Sequence, residues 1–191
     1  MPEPTATGPL APYADRFAAA SSDRLALREA LLRAQVDLRG NAGAPGFADA
    51  VAAVAGCPLP APNRVSRGAA RTIMWLGPDE WLLVGEAGEG PALAAELGAA
   101  LAGRHVSAVD VSASRAIVEL SGPGAREVLA AGCSLDLHPR AFALDHCAQT
   151  LLANVAVILE QTDGAPTFLL HVRPSFARYL ADWLLNAVDG G

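Results

Sequence analysis

Apolar residues recur along this chain in two alternating rhythms, one of strands and one of helices. Val36–Arg39 alternates as a strand and stops at Gly40-Asn41. Phe47, Val51 and Val54 then recur about one helical turn apart, after Pro45 and before Gly56, which predicts a short helix. Cys57 to Gly68 reads as a Pro-rich loop. Thr72–Leu76 and Trp81–Val84 are apolar strands joined by Gly77-Pro78-Asp79-Glu80, residues suited to a tight connection. Pro91 opens a helix with Leu93, Leu97 and Leu101 on one face, and Gly103 closes it.

The order then repeats. Val106–Val111 and Ile117–Leu120 read as strands, and Ser121-Gly122-Pro123-Gly124 leads into a helix through Val128 and Leu129 that stops at Gly132. Leu135–Phe142 is a loop. Thr150–Ile158 and Thr167–Val172 are strands around an Asp163-Gly164 turn. Pro174 starts a last helix with Phe176, Leu180, Trp183 and Leu184 at helical spacing. Asp23–Arg33 fits neither period, because Leu25, Leu27, Leu31 and Leu32 are wrongly spaced for both. Residues 1–22, rich in Pro, Ala, Thr and Ser, read as a mobile tail with a helical turn near Tyr13–Ala20.

The two rhythms coincide with a repeat in the letters. Ala55-Gly56-Cys57-Pro58-Leu59 returns as Ala131-Gly132-Cys133-Ser134-Leu135, each copy preceded by a strand and followed by strands and an amphipathic helix. The expected fold class is therefore α+β, a pseudo-symmetric duplication of a strand–helix–strand–strand–helix unit. Its expected divisions are a tail over 1–22, a first half over 23–103 and a second half over 104–191, packed as one domain.

Charge narrows the functional classes. The net charge is −6 with no basic run, which argues against nucleic acid. All 14 basic residues are Arg, so no Lys can form a Schiff base or reach a nucleotide phosphate as in a P-loop. Only 18% of residues are charged while 52% are apolar, which fits a surface partly covered by a partner. No apolar run approaches the roughly 20 residues that span a bilayer, and the N-terminal residues lack the pattern of a signal peptide. Three unpaired cysteines fit a reducing compartment, so the expectation is a cytoplasmic protein.

The chemistry-bearing residues have ordinary structural readings beside their functional ones. Cys57 and Cys133 occupy matching places and read as small apolar plugs at helix ends. Cys147 follows His146, yet strand neighbours point to opposite faces, which works against a thiolate–imidazole pair. The four histidines lack metal-ligand spacing. Asp110 suits a bond to the Ser112 or Ser114 hydroxyl as well as it suits catalysis. Ser121-Gly122-Pro123-Gly124 lacks the order of a phosphate loop. Trp75 and Trp81 flank a hairpin, where core packing and partner contact remain equally open.

Three motifs carry a family likeness: Trp75-Leu76-Gly77-Pro78-Asp79-Glu80-Trp81, then Val109-Asp110-Val111-Ser112 through Ser121-Gly122-Pro123-Gly124-Ala125, then Gly132-Cys133-Ser134-Leu135-Asp136-Leu137. With Arg173-Pro174-Ser175-Phe176, the chain from about residue 23 onward resembles the gamma-subunit family of heterotetrameric sarcosine oxidase. That family is in turn similar to the folate-binding aminomethyltransferase (glycine-cleavage T-protein) fold.

The resemblance implies a complex that oxidatively demethylates sarcosine to glycine, giving hydrogen peroxide and, with tetrahydrofolate, methylenetetrahydrofolate. It implies alpha, beta and delta subunits as partners. FAD, FMN, NAD and tetrahydrofolate are expected on those partners, a zinc on the delta subunit, and no cofactor, metal or catalytic residue on this chain. The aminomethyltransferase carboxylate loop is replaced here by Leu151–Glu160, which carries neither its glycines nor its Asp pair. The expected role is a non-catalytic assembly subunit, with Trp75, Pro78, Trp81 and Arg115 as contact residues. The alternative is an independent folate-binding, aminomethyltransferase-like protein, for which Glu160 or Asp110 would have to supply the carboxylate.

Overall fold

The computed structural model describes residues 8–189. The chain separates into two compact units: one is built from the chain up to Leu31, Ser114–Leu144 and Thr150 onward, the other from Leu32–Ala113 and Asp145–Gln149.

The second of these follows directly from the alternation. Strand β2 (Ala34–Arg39) buries Val36 and Leu38. It is followed by helix α2 (Phe47–Ala55), strands β3 (Val65–Arg67), β4 (Thr72–Gly77) and β5 (Glu80–Gly85), helix α3 (Gly90–Ala100) and strand β6 (Ser107–Asp110). The antiparallel sheet runs β3-β4-β5-β2-β6. Register puts Val36 opposite Leu83, Leu38 opposite Trp81, and Trp75 opposite Trp81. Val36, Leu38, Ile73, Trp81 and Leu83 form one buried cluster with Phe47 and Val51 of α2 and with Leu93 and Leu97 of α3. Gly56 closes α2 at φ 72°, a left-handed cap that costs glycine little.

The other unit carries the same order. Strand β7 (Ala116–Ser121) leads into helix α4 (Ala125–Ala130), strands β8 (Cys147–Leu152), β9 (Val155–Gln161) and β10 (Thr167–Val172), and helix α5 (Pro174–Asp189). Helix α1 (Ala14–Ala20) and strand β1 (Ala26–Glu29) precede them. The sheet runs β1-β7-β10-β9-β8, with β7 antiparallel to both β1 and β10, and β10 antiparallel to β9. Leu120 opposite Phe168 and Val118 opposite Leu170 fill one buried face. Ala177, Leu180, Ala181 and Leu184 are the wholly buried stripe of α5, and each leucine contributes about 1.5–3 kcal/mol by leaving water.

The α+β class with antiparallel sheets agrees with the sequence, and four details correct it. Each repeat holds three strands after its first helix, so the unit is strand–helix–strand–strand–strand–helix. β3 was hidden in the Pro-rich stretch because it is three residues long with only Val65 buried. The single strand expected over Thr150–Ile158 is a hairpin, turned by Ala153 and Asn154 at φ 51° and 65°. Asp23–Arg33 holds β1, whose register places Leu27 opposite Leu120, whereas Leu31 is 85% exposed.

The edge strands also cross the expected boundaries. β1, from the first sequence half, pairs with β7, and β6, from the second, pairs with β2. Residues 8–22, expected within a mobile tail, include a 3-10 turn at Ala11–Tyr13 and α1, with Leu10 and Phe17 buried. The rest of that expected tail lies outside the described residues.

Candidate functional site

The β4–β5 hairpin presents the expected contact residues to very different surroundings. Pro78 is exposed at its tip, beside a cleft of about 640 Å³ lined also by Arg39, Gly40, Asn41, Asp79 and His105. Arg39 reaches Glu80 at 2.9 Å there. It also lies 3.9 Å from Asp79 and 3.8 Å from Asp37, so its charge is already compensated. Trp75 is half-buried and packs against the core cluster. Arg115 is half-buried just before β7.

Trp81 is corrected outright. It is 1% exposed and its ring meets Phe47, with centroids 5.5 Å apart. A residue that fills the core has no surface left for a partner.

The carboxylates weighed for folate chemistry are held by neighbours. Ser112 donates to Asp110 Oδ1 through its hydroxyl at 2.5 Å and its backbone N–H at 3.0 Å. The same hydroxyl oxygen accepts from the Gln35 N–H at 2.9 Å, locking the exit of β6 to β2. This is the turn-stabilising arrangement anticipated from the spacing. Glu160 is 3% exposed within β9, 3.6 Å from the buried His171 ring on β10.

Two of the three thiols face backbone carbonyls. Cys57 points at Ser66 O (3.6 Å), and burial pushes its thiol above the ordinary value. Cys147 points at Arg64 O and Trp75 O (3.3 and 3.4 Å), while His146 Nδ1 lies 2.8 Å from Arg64 Nη1. Cys133 approaches the Thr150 hydroxyl at 3.8 Å. Among the described residues, no group of three or more His, Cys, Asp or Glu is arranged to hold a metal. No described helix is long and apolar enough to cross a membrane.

One polar centre was not visible in the sequence. Arg126 of α4 lies 5.1 Å over the Phe168 ring and donates to Leu137 O, to Phe142 O (3.0 Å) and to Gln161 Oε1 (2.8 Å). Its guanidinium, lowered from its ordinary pKa by burial, ties the 137–142 loop to β9. Its partners are carbonyl oxygens 11 and 16 residues away, which no local pattern encodes.

A model of the sarcosine oxidase gamma subunit family matches residues 39–189. The chain belongs to this family. Gamma subunits of sarcosine oxidase from Corynebacterium sp. (strain P-1) and from an Arthrobacter species are each 42% identical to it. Each alignment covers 85% of this chain and 79% of the relative. A chain of the heterotetrameric sarcosine oxidase from Corynebacterium sp. U-96, solved with pyrrole 2-carboxylate, superposes with a TM-score of 0.88 at 36% identity. That match covers 97% of this chain and 95% of the other. The aminomethyltransferase of the glycine cleavage system from Bartonella henselae shares the fold at a TM-score of 0.64 and 18% identity. The match covers 89% of this chain and 48% of that one. Both expected likenesses, to the gamma-subunit family and to the aminomethyltransferase fold, are therefore found.

Proposed function

We propose that this chain is a non-catalytic structural subunit of a heterotetrameric enzyme that oxidatively demethylates sarcosine. In this reading the larger alpha and beta chains carry FAD, FMN, NAD and tetrahydrofolate, and a small delta chain completes the complex. The hydrogen peroxide and methylenetetrahydrofolate arise on those partners. The matching order of elements in the two units reflects an internal duplication of one ancestral unit.

The observation that carries the reading is the near full-length superposition on a chain of a heterotetrameric sarcosine oxidase. The side chains support it. Asp110 organises a turn, Glu160 lies in a sheet interior, and Cys57 and Cys147 face carbonyl oxygens. The aminomethyltransferase fold alone does not bring that enzyme's chemistry with it.

Co-expression of a tagged full chain with the other chains of the complex, followed by size exclusion and an absorbance spectrum, tests this function. The expected result is one peak containing all chains with flavin absorbance, and no flavin absorbance from this chain expressed by itself. A monodisperse chain that ignores the others would overturn the proposal.

A further inference from the structure

We infer that this chain descends from two copies of a half-length unit that traded their first strands, and that this exchange still binds its two halves without the peptide link between them. The inference rests on the internal duplication in the reading above and is independent of the role in the complex.

Strand β1 precedes β2 in the chain but lies against β7, and β6 precedes β7 but lies against β2. The two placements are equivalent residue by residue. Val36-Asp37-Leu38 of β2 matches Val118-Glu119-Leu120 of β7. Asp110, Val109 and Ala108 oppose the first set, and Glu29, Arg28 and Leu27 oppose the second in the same order. The backbone bond just beyond each ladder is repeated too. Val111 N–H donates to Gln35 O and Ala30 N–H donates to Ile117 O, both at 2.8 Å. Edge strands recruited separately would have no reason to share this register. β6, without a fully buried residue, has no apolar pattern of its own to set it.

The crossings of the chain correspond as well. It passes from one compact unit to the other between Leu31 and Leu32, just after β1, and back between Ala113 and Ser114, just after β6. A cut between α3 and β6 would therefore leave each piece short of a strand partner, because β1 would lose β7 and β2 would lose β6. Each open edge is completed by the strand that the other piece holds. Leu27, 4% exposed in β1, adds buried apolar area to that pairing.

In the test, a protease site is inserted into the full chain after the exposed Gly103, and the cut protein is compared with the uncut one. The pieces are expected to elute as one body of the full mass. They should unfold in a single transition whose midpoint falls on dilution, while the uncut midpoint stays constant. Arg28→Pro and Val109→Pro change equivalent exposed positions, and each removes an N–H that points at the neighbouring strand. Each should raise the dissociation constant of the cut pair roughly tenfold or more. In the uncut chain, amide exchange should quicken crosswise, in β7 for Arg28→Pro and in β2 for Val109→Pro. Should one variant fail to fold, the other still decides. Pieces that separate on cutting, whether folded or not, overturn the inference, as does a cut pair indifferent to both prolines. Either result leaves the role in the complex standing, since co-expression tests that separately.

Discussion

Trp81 and Phe47 meet in the core with ring centroids 5.5 Å apart and planes inclined at 45°. That contact decides what the hairpin tryptophan does. Trp81→Ala should destabilise the full chain by about 3–5 kcal/mol, through lost transfer energy and the cavity left behind. Chemical denaturation measures this directly. A loss under about 1 kcal/mol would return Trp81 to the surface role expected from its place beside the turn.

Gly132 and Trp183 set a second packing constraint. A Cβ on Gly132 would lie 2.5 Å from the indole and 3.3 Å from the Ala153 nitrogen. Gly132→Ala should therefore cost about 1–3 kcal/mol of stability. Trp183→Leu should relieve part of that cost, so a double-mutant cycle should show a clear favourable coupling. Strict additivity would mean that the two positions do not press on one another.

Asp163 gives the fold an acid-sensitive turn. Burial pushes its carboxyl up, but bonds from the Thr167 side chain and from the Ala165 and Thr167 N–H groups outweigh this and hold it below its ordinary value of 3.8. The Ala165 and Thr167 N–H groups lie 2.9 and 2.8 Å from Oδ1. A depressed folded pKa contributes stability that is full above the unfolded value and is lost as pH falls through the folded one. Asp163→Asn should flatten the stability profile below about pH 4 relative to wild type. Parallel acid profiles for the two proteins would show that the carboxylate is not responsible.

Arg126 should govern the order of the loop it ties down. Arg126→Met preserves much of the packing over Phe168 but removes the donors to Leu137 O, Phe142 O and Gln161 Oε1. Loss of charged donors to half-buried acceptors is expected to cost about 2–4 kcal/mol. Amide hydrogen exchange across residues 137–142 should accelerate first, ahead of the β9–β10 ladder. Uniform acceleration across the unit would indicate global destabilisation instead.

What was legible in the sequence tracks how local each interaction is. Val36 and Leu38 declare their strand because alternate residues face one core. The Asp110–Ser112 bond spans two residues, so spacing alone anticipates it. β5 gives no such guide to Trp81, because Trp81, Leu82 and Leu83 are all buried and the alternation that separates faces is lost. The β8–β9 turn was invisible because Ala153 and Asn154 adopt left-handed conformations without a glycine. Leu31 and Leu32 blurred β1 because both are exposed beyond its end. Arg126 depends wholly on tertiary partners.

Native mass spectrometry of the purified complex, with this chain released in the gas phase, tests the structural-subunit reading most directly. The chain is expected to leave at its bare polypeptide mass of 19.6 kDa, with flavin, nicotinamide and folate retained on the larger chains. Release with the added mass of any of these cofactors, in proportion to the chain, would contradict it.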